Sequence, residues 1–150
     1  MSPRIGGPAP QRSAGSRQES LLSIRVLLVE DMKATHELVS ELMGFIGGFT
    51  VVGSCATEAA ALQWVHDHPG ACDLMILDLM LREGTGFSVL AGLAVHGAGA
   101  PDVVVFSDFA SPAVVRKCRD NGALEAIPKA DLRRLRVFLE TYRGQLSKAA

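Results

Sequence analysis

The chain has 150 residues, a formal net charge of −1, and 48% hydrophobic and 21% charged residues. That length suits one domain with a sizeable core, and the balanced charge points away from nucleic acid or an acidic surface as its general partner. Its longest apolar runs are far too short to span a bilayer, so no membrane segment is expected. Residues 1–22 are rich in Pro, Gly, Ser and Arg and show no hydrophobic period. They read as a flexible tail, not a targeting segment, with Arg4, Arg12 and Arg17 solvated.

The next segment alternates between two patterns. "IRVLLV" (24–29) predicts a strand, and the spacing of Leu38, Leu42, Phe45 and Ile46 predicts a helix over 32–46. "TVVGSC" (50–55) predicts a second strand. A helix over 57–68 follows, opened by Thr57 and stopped before Pro69 and Gly70. "DLMILD" (73–78) is apolar almost throughout, as in a strand buried on both faces of a parallel sheet. A helix over 86–97 and a fourth strand, "DVVVFS" (102–107), come next. Ser111 and Pro112 open a helix that Gly122 closes, "ALEAI" (123–127) is a short fifth strand, and the last helix runs over 131–146. The division is thus a tail over 1–22, a domain over 23–146 and a short tail over 147–150.

Strands interleaved with helices predict an α/β fold, a doubly wound five-stranded parallel sheet with helices on both faces. Ligands of such sheets bind beyond the carboxyl ends of the strands. There the first strand ends in Glu30 and Asp31, the third in Asp78, the fourth in Ser107 and Asp108, and the fifth in Lys129. An unpaired carboxylate is costly to bury, so Asp78 is expected to stand unburied at its strand tip, facing that site. Crowded carboxylates repel one another unless a cation neutralises them, and all-oxygen ligands with room for water suit Mg²⁺. A carboxylate beside Mg²⁺ and a lysine has the chemistry to attack phosphorus and become an aspartyl phosphate.

At this point the residues resemble the receiver domain of two-component response regulators, over 23 to about 146. "VLLVED", "DLMILDLMLREGTGF", "VVVFSD" and "AIPKA" carry the resemblance, in order and each at a strand end. It implies a flavodoxin-like receiver fold with strand order 2-1-3-4-5. Asp78 is then the phosphoacceptor, assisted by Ser107 and Lys129. Glu30, Asp31, Asp78 and the backbone carbonyl of Met80 are then the Mg²⁺ ligands, and Gly86 is the loop glycine. It also implies a cytoplasmic signalling domain, not an enzyme with a separate substrate. Its partners would be a sensor histidine kinase or a histidine phosphotransfer protein, and an unidentified downstream protein. Only one helix follows Lys129, so a stand-alone regulator without direct DNA binding is expected.

The sequence departs from the family pattern around the site. Ala130 follows the lysine where a proline is usual, and Pro128 precedes it. Ala126 replaces an aromatic, leaving Phe109 as a candidate for the switch. Arg82 replaces a loop proline. Asp108 stands where a small residue is usual. Turned inward it would repel a phosphoryl dianion; the outward orientation, favouring the start of the next helix, is the preferred reading. These departures sustain the alternative of a degenerate receiver acting as a phosphorylation-independent interaction module. A haloacid-dehalogenase-type phosphatase is disfavoured, because Met80 stands where that family's second aspartate belongs.

The remaining polar residues have bland readings. His66 and His68 diverge at helical spacing, and His36 and His96 read as surface residues. The arginines at 133, 134, 136 and 143 form a solvated stripe, while Trp64 and Phe138 read as core. Cys55, Cys72 and Cys118 form no CxxC pair and read as buried apolar residues in a reducing compartment. No glycine-rich nucleotide loop follows the first strand.

Overall fold

The computed structural model describes residues 23–149. Five strands form one parallel sheet: β1 (Ile24–Val29), β2 (Phe49–Cys55), β3 (Leu74–Leu77), β4 (Asp102–Ser107) and β5 (Glu125–Pro128). Their spatial order is β2-β1-β3-β4-β5, the flavodoxin-like order. The helices are α1 (Lys33–Ile46), α2 (Glu58–Asp67), α3 (Gly86–His96), α4 (Pro112–Asp120) and α5 (Leu132–Ala149).

Strand alternation divides the core into two halves. Leu27, Val29, Met75, Leu77, Val103 and Val105 point to one face and pack against α2, α3 and α4. Val26, Leu28, Leu74, Ile76, Val104, Phe106 and Ile127 point to the other, beneath Val39 and Met43 of α1 and Leu135, Leu139 and Tyr142 of α5. All four residues of β3 are buried, which is why that segment tolerates no polar residue between Asp73 and Asp78. Full burial of side chains this size contributes about 1.5–3 kcal/mol each, so the sheet is a rigid base for whatever projects from its edge. Trp64 and Phe138 are half-buried and pack on the first and second halves, in keeping with their core reading.

Local signals set the helix starts. Thr57, Thr85 and Ser111 each accept a hydrogen bond from the backbone N–H three residues on, at 3.1, 3.2 and 3.3 Å. Asp131 does the same for Arg134 at the start of α5, at 3.1 Å. The helix α1 is the exception, because its N-cap is Met32, whose side chain makes no capping bond. The last helix extends to Ala149, beyond the expected 146, because no glycine or proline after Leu146 stops it even though its apolar period has ended.

The two ends of the sheet are built differently. At the amino end, Arg25 grips Asp73 through Nε (3.0 Å) and Nη2 (2.8 Å). There the Tyr142 hydroxyl donates to Asp102 Oδ2 at 2.8 Å and to the Asp73 carbonyl at 3.2 Å. The acidic side chains at that end are therefore engaged in clamps, and the carboxyl end is left to carry the chemistry.

Candidate functional site

The parallel register brings the strand-end residues together. Val29 pairs with Leu77, Leu77 with Val105, and Ser107 with Pro128, so the next residue of each strand emerges on one rim. Two backbone bonds extend the ladder past the strands. The Asp78 N–H donates to the Val29 carbonyl at 2.9 Å, and the Lys129 N–H donates to the Ser107 carbonyl at 3.0 Å. Glu30, Asp31, Asp78, Ser107 and Lys129 thus gather at one edge, as the sequence indicates.

At its centre Lys129 Nζ lies 2.7 Å from Glu30 Oε1 and 3.0 Å from Asp78 Oδ2. The other oxygen of Asp78, Oδ1, accepts the Leu79 N–H at 2.7 Å, with the Met80 N–H at 3.4 Å. Glu30 Oε2 accepts the Met32 N–H at 3.0 Å. Burial opposes the charge on Lys129, but its two carboxylate partners outweigh that and raise its pKa, so the ammonium is held charged. Burial, with help from Asp78, raises the Glu30 carboxyl, against the pull of Lys129 and the Met32 N–H. Ser107 is fully buried, and its hydroxyl accepts the Phe109 N–H at 3.3 Å.

Asp78 is buried, with 5% of its surface exposed, and does not stand free at the strand tip. Partners compensate the burial: the ammonium serves one oxygen and backbone amides the other. The loop after it folds tightly over the strand end. A Cβ on Gly86 would lie 2.4 Å from the Asp78 carbonyl oxygen, so only glycine fits there. The same loop is pinned to the start of α2. The Arg82 N–H donates to the Ala56 carbonyl (3.1 Å), the Glu58 N–H to the Glu83 carbonyl (3.0 Å), and the Thr85 N–H to Glu58 Oε1 (3.3 Å).

Asp31 completes the cluster. One carboxylate oxygen from each of Glu30, Asp31 and Asp78 lies within 4.8 Å of the others. Asp31 is exposed and, among the described residues, has no hydrogen-bond or ion-pair partner. Three carboxylates against one ammonium leave the pocket negative, and its donors are all hard oxygens, so the residues present fit a divalent hard cation such as Mg²⁺. Met80 is exposed beside them, in the turn bridged to Thr85.

Other residues fall differently from their sequence readings. His36 is half-buried rather than on the surface, and its Nε2 lies 2.6 Å from the Glu30 carbonyl oxygen. Its neighbours in sequence carry no ligand or catalytic pattern; only its place one turn into the helix after the acidic pair hints at the contact. Asp108 is exposed but makes no capping bond, because Ser111 already supplies the cap. Ala126 is fully buried in the core beside α4, while Phe109 is 54% exposed. Lys129 and Ala130 form a turn closed by the Asp131 N–H on the Pro128 carbonyl at 2.9 Å. His66 and His68 are both exposed; His68 stacks on Trp64 and His66 contacts Asp67, so the two rings diverge.

A doubly wound sheet with an acidic pocket and a lysine at its carboxyl edge defines the flavodoxin-like receiver class. Residues 26–140 match the response regulator receiver domain, and the chain belongs to that family, of which phosphorylation and magnesium are general features. Over 120 residues it is 28% identical to a Priestia megaterium protein described as "Probable C4-dicarboxylate response regulator DctR", covering 79% of this chain and 51% of that protein. The chain therefore spans about half the length of this curated relative. Among solved structures it resembles a chain of the CheX–CheY–BeF3–Mg²⁺ complex from Borrelia burgdorferi, with TM-score 0.68 and 20% identity over 81% of this chain and 93% of that one. The response regulator domain of Thermotoga maritima CheB gives TM-score 0.70 and 19% identity over 82% and 95%. At such identities the likeness concerns the fold. Among the described residues no helix is long and apolar enough to cross a membrane.

Proposed function

We propose that this receiver accepts a phosphoryl group on Asp78 from a sensor histidine kinase or a histidine phosphotransfer protein, with Mg²⁺ in the acidic pocket. The observation that carries the reading is the Lys129 ammonium held between Glu30 and Asp78 beside the unpartnered carboxylate of Asp31. Glu30, Asp31, Asp78 and the Met80 carbonyl would hold the cation, which when bound offsets charge on the phosphoryl oxygens.

The chain's own residues do the rest. A carboxylate oxygen of Asp78 attacks phosphorus, and the bond to the donor's imidazole nitrogen breaks with its electron pair staying on that nitrogen. Lys129 is positioned to turn from the carboxylate to an oxygen of the transferred group. The Ser107 hydroxyl, which now accepts from the Phe109 N–H, has its proton free to donate to another such oxygen. The backbone N–H groups of Leu79 and Met80 hold the acceptor in orientation. The BeF3–Mg²⁺ complex of the Borrelia burgdorferi structure is in keeping with this use of the pocket.

The domain is read as a cytoplasmic signalling module whose output is protein–protein contact or onward transfer of the phosphoryl group. The experiment is incubation with acetyl phosphate and Mg²⁺, followed by mass mapping. A single phosphate on Asp78, absent from Asp78→Asn, is expected. No incorporation into the folded wild type would favour the phosphorylation-independent interaction module, a reading to which the buried Ala126 lends support.

A further inference from the structure

The turn that carries the acidic pair is held in an unusual way. The N-cap residue of α1, Met32, cannot cap with its side chain. The Glu30 carboxylate instead accepts the Met32 N–H at 3.0 Å, from outside the helix. The Glu30 N–H is already bonded to the Cys55 carbonyl at 2.9 Å, which leaves the Glu30 carbonyl to be fixed, and His36 reaches back across the turn to do so. A carbonyl oxygen only accepts, so the 2.6 Å contact requires that Nε2 carry the proton and donate. The ring borders a cavity of about 10 Å³ shared with Glu30, Val39, Asp78 and Phe106, room for one water at most. The imidazole therefore has no space in which to swing inward and release the carbonyl.

We propose that His36 is a positioning residue for the cation site: its Nε2–H fixes the Glu30 carbonyl and thereby the orientation of the Glu30 and Asp31 carboxylates. Resting on the Mg²⁺ reading above, the inference adds a group that touches neither cation nor phosphate. Mg²⁺ accepts little deviation from octahedral geometry, so a Glu30–Asp31 peptide free to tilt beyond the bonded Glu30 N–H holds it less well. Partners that orient metal ligands are worth about 10–100-fold in affinity.

The test is Mg²⁺ binding by calorimetry, with thermal melting in EDTA, on wild type and three variants. His36→Gln keeps an N–H donor at similar reach, so affinity within about twofold of wild type is expected. Both His36→Leu, which lacks a donor, and His36→Asn, whose amide is too short, should weaken Mg²⁺ about 10-fold or more. If Leu and Asn lower only the melting temperature and leave affinity unchanged, His36 is merely structural and the proposal falls. Should the Leu variant not fold, a Gln variant as weak as Asn overturns it. A wild type that binds no Mg²⁺ removes the cation site and this inference together, an outcome distinct from a wild type that binds while all variants match it.

Discussion

Lys129 Nζ stands 3.0 Å from Asp78 Oδ2, and the two side chains keep only 12% and 6% of their surface exposed. With Glu30 on its other side, the lysine acts as the resident counter-ion of a buried acidic pair. Its removal leaves two like charges facing each other in a poorly solvated pocket. Lys129→Met is therefore expected to destabilise the metal-free protein by about 3 kcal/mol, the lower end of the cost of breaking a buried pair because one side opens to solvent. Urea unfolding in EDTA measures this. Added Mg²⁺ should recover part of the loss, and equal melting of the variant with and without Mg²⁺ would contradict the shared pocket.

Asp31 is the converse case. It is exposed and unpartnered, so it contributes repulsion but no bond in the metal-free protein. Asp31→Asn should leave the melting temperature in EDTA unchanged or slightly raised, while Mg²⁺ affinity and the rate of labelling by acetyl phosphate both fall by about 10-fold or more. Unaltered Mg²⁺ affinity would remove Asp31 from the ligand set.

Much of this was legible in the sequence, for identifiable reasons. The strands announce themselves as short apolar runs, and side-chain caps at Thr57 and Ser111 mark two helix starts with a known geometry. The parallel register then makes convergence of Glu30, Asp78, Ser107 and Lys129 a consequence of topology. What sequence could not supply was the burial of Asp78, because that depends on the loop over it and on a lysine 51 positions away. Nor could it reveal the His36 contact, in which a side chain meets a backbone carbonyl with no sequence pattern of its own. The cap expected of Asp108 failed because two neighbouring residues competed for one role and only Ser111 has the right offset.

Two glycines should respond oppositely to the same substitution. Gly86→Ala places a methyl 2.4 Å from the Asp78 carbonyl oxygen and 2.9 Å from Leu79 Cα, both backbone atoms that cannot move aside. It should lower stability and slow labelling by displacing the acceptor. Gly44, inside α1, has nothing within 4 Å of the place an added methyl would take, so Gly44→Ala should stabilise by about 0.5–1 kcal/mol through helix propensity. Thermal melts of the pair decide it; a neutral Gly86→Ala would mean the loop is softer than its contacts imply.

Strong acid should weaken the opposite end of the sheet. Hydrogen bonding from the Arg25 side chain lowers the Asp73 carboxyl below its ordinary 3.8, overcoming the opposing effect of burial. A carboxyl depressed in the folded state stabilises above its unfolded value and loses that contribution as pH falls through its folded value. The stability difference between wild type and Arg25→Met should thus be full at neutral pH and shrink as pH drops below 3.8. Melting temperatures across the acid range test the sign; a difference that grows on acidification would contradict it.

Asp108 separates stability from chemistry. The residue follows Ser107, whose hydroxyl faces the acceptor site in the proposed mechanism, yet its own side chain is exposed and bonds to nothing in α4. The cap belongs to Ser111, so Ser111→Ala should cost about 1 kcal/mol. Asp108→Ala should stay within about 0.5 kcal/mol of wild type. Its charge, however, lies next to the path of an incoming phosphoryl dianion. Across a partly screened distance that repulsion is of order 1 kcal/mol or less, so Asp108→Ala should speed labelling by acetyl phosphate by at most about fivefold. Because the side chain is exposed, salt should erase the gain as the Debye length shortens to about 3 Å near 1 M. A rate increase that survives high salt would point instead to a steric effect of the shorter side chain. A melting temperature that falls as far as in Ser111→Ala would restore the capping role that the geometry denies it.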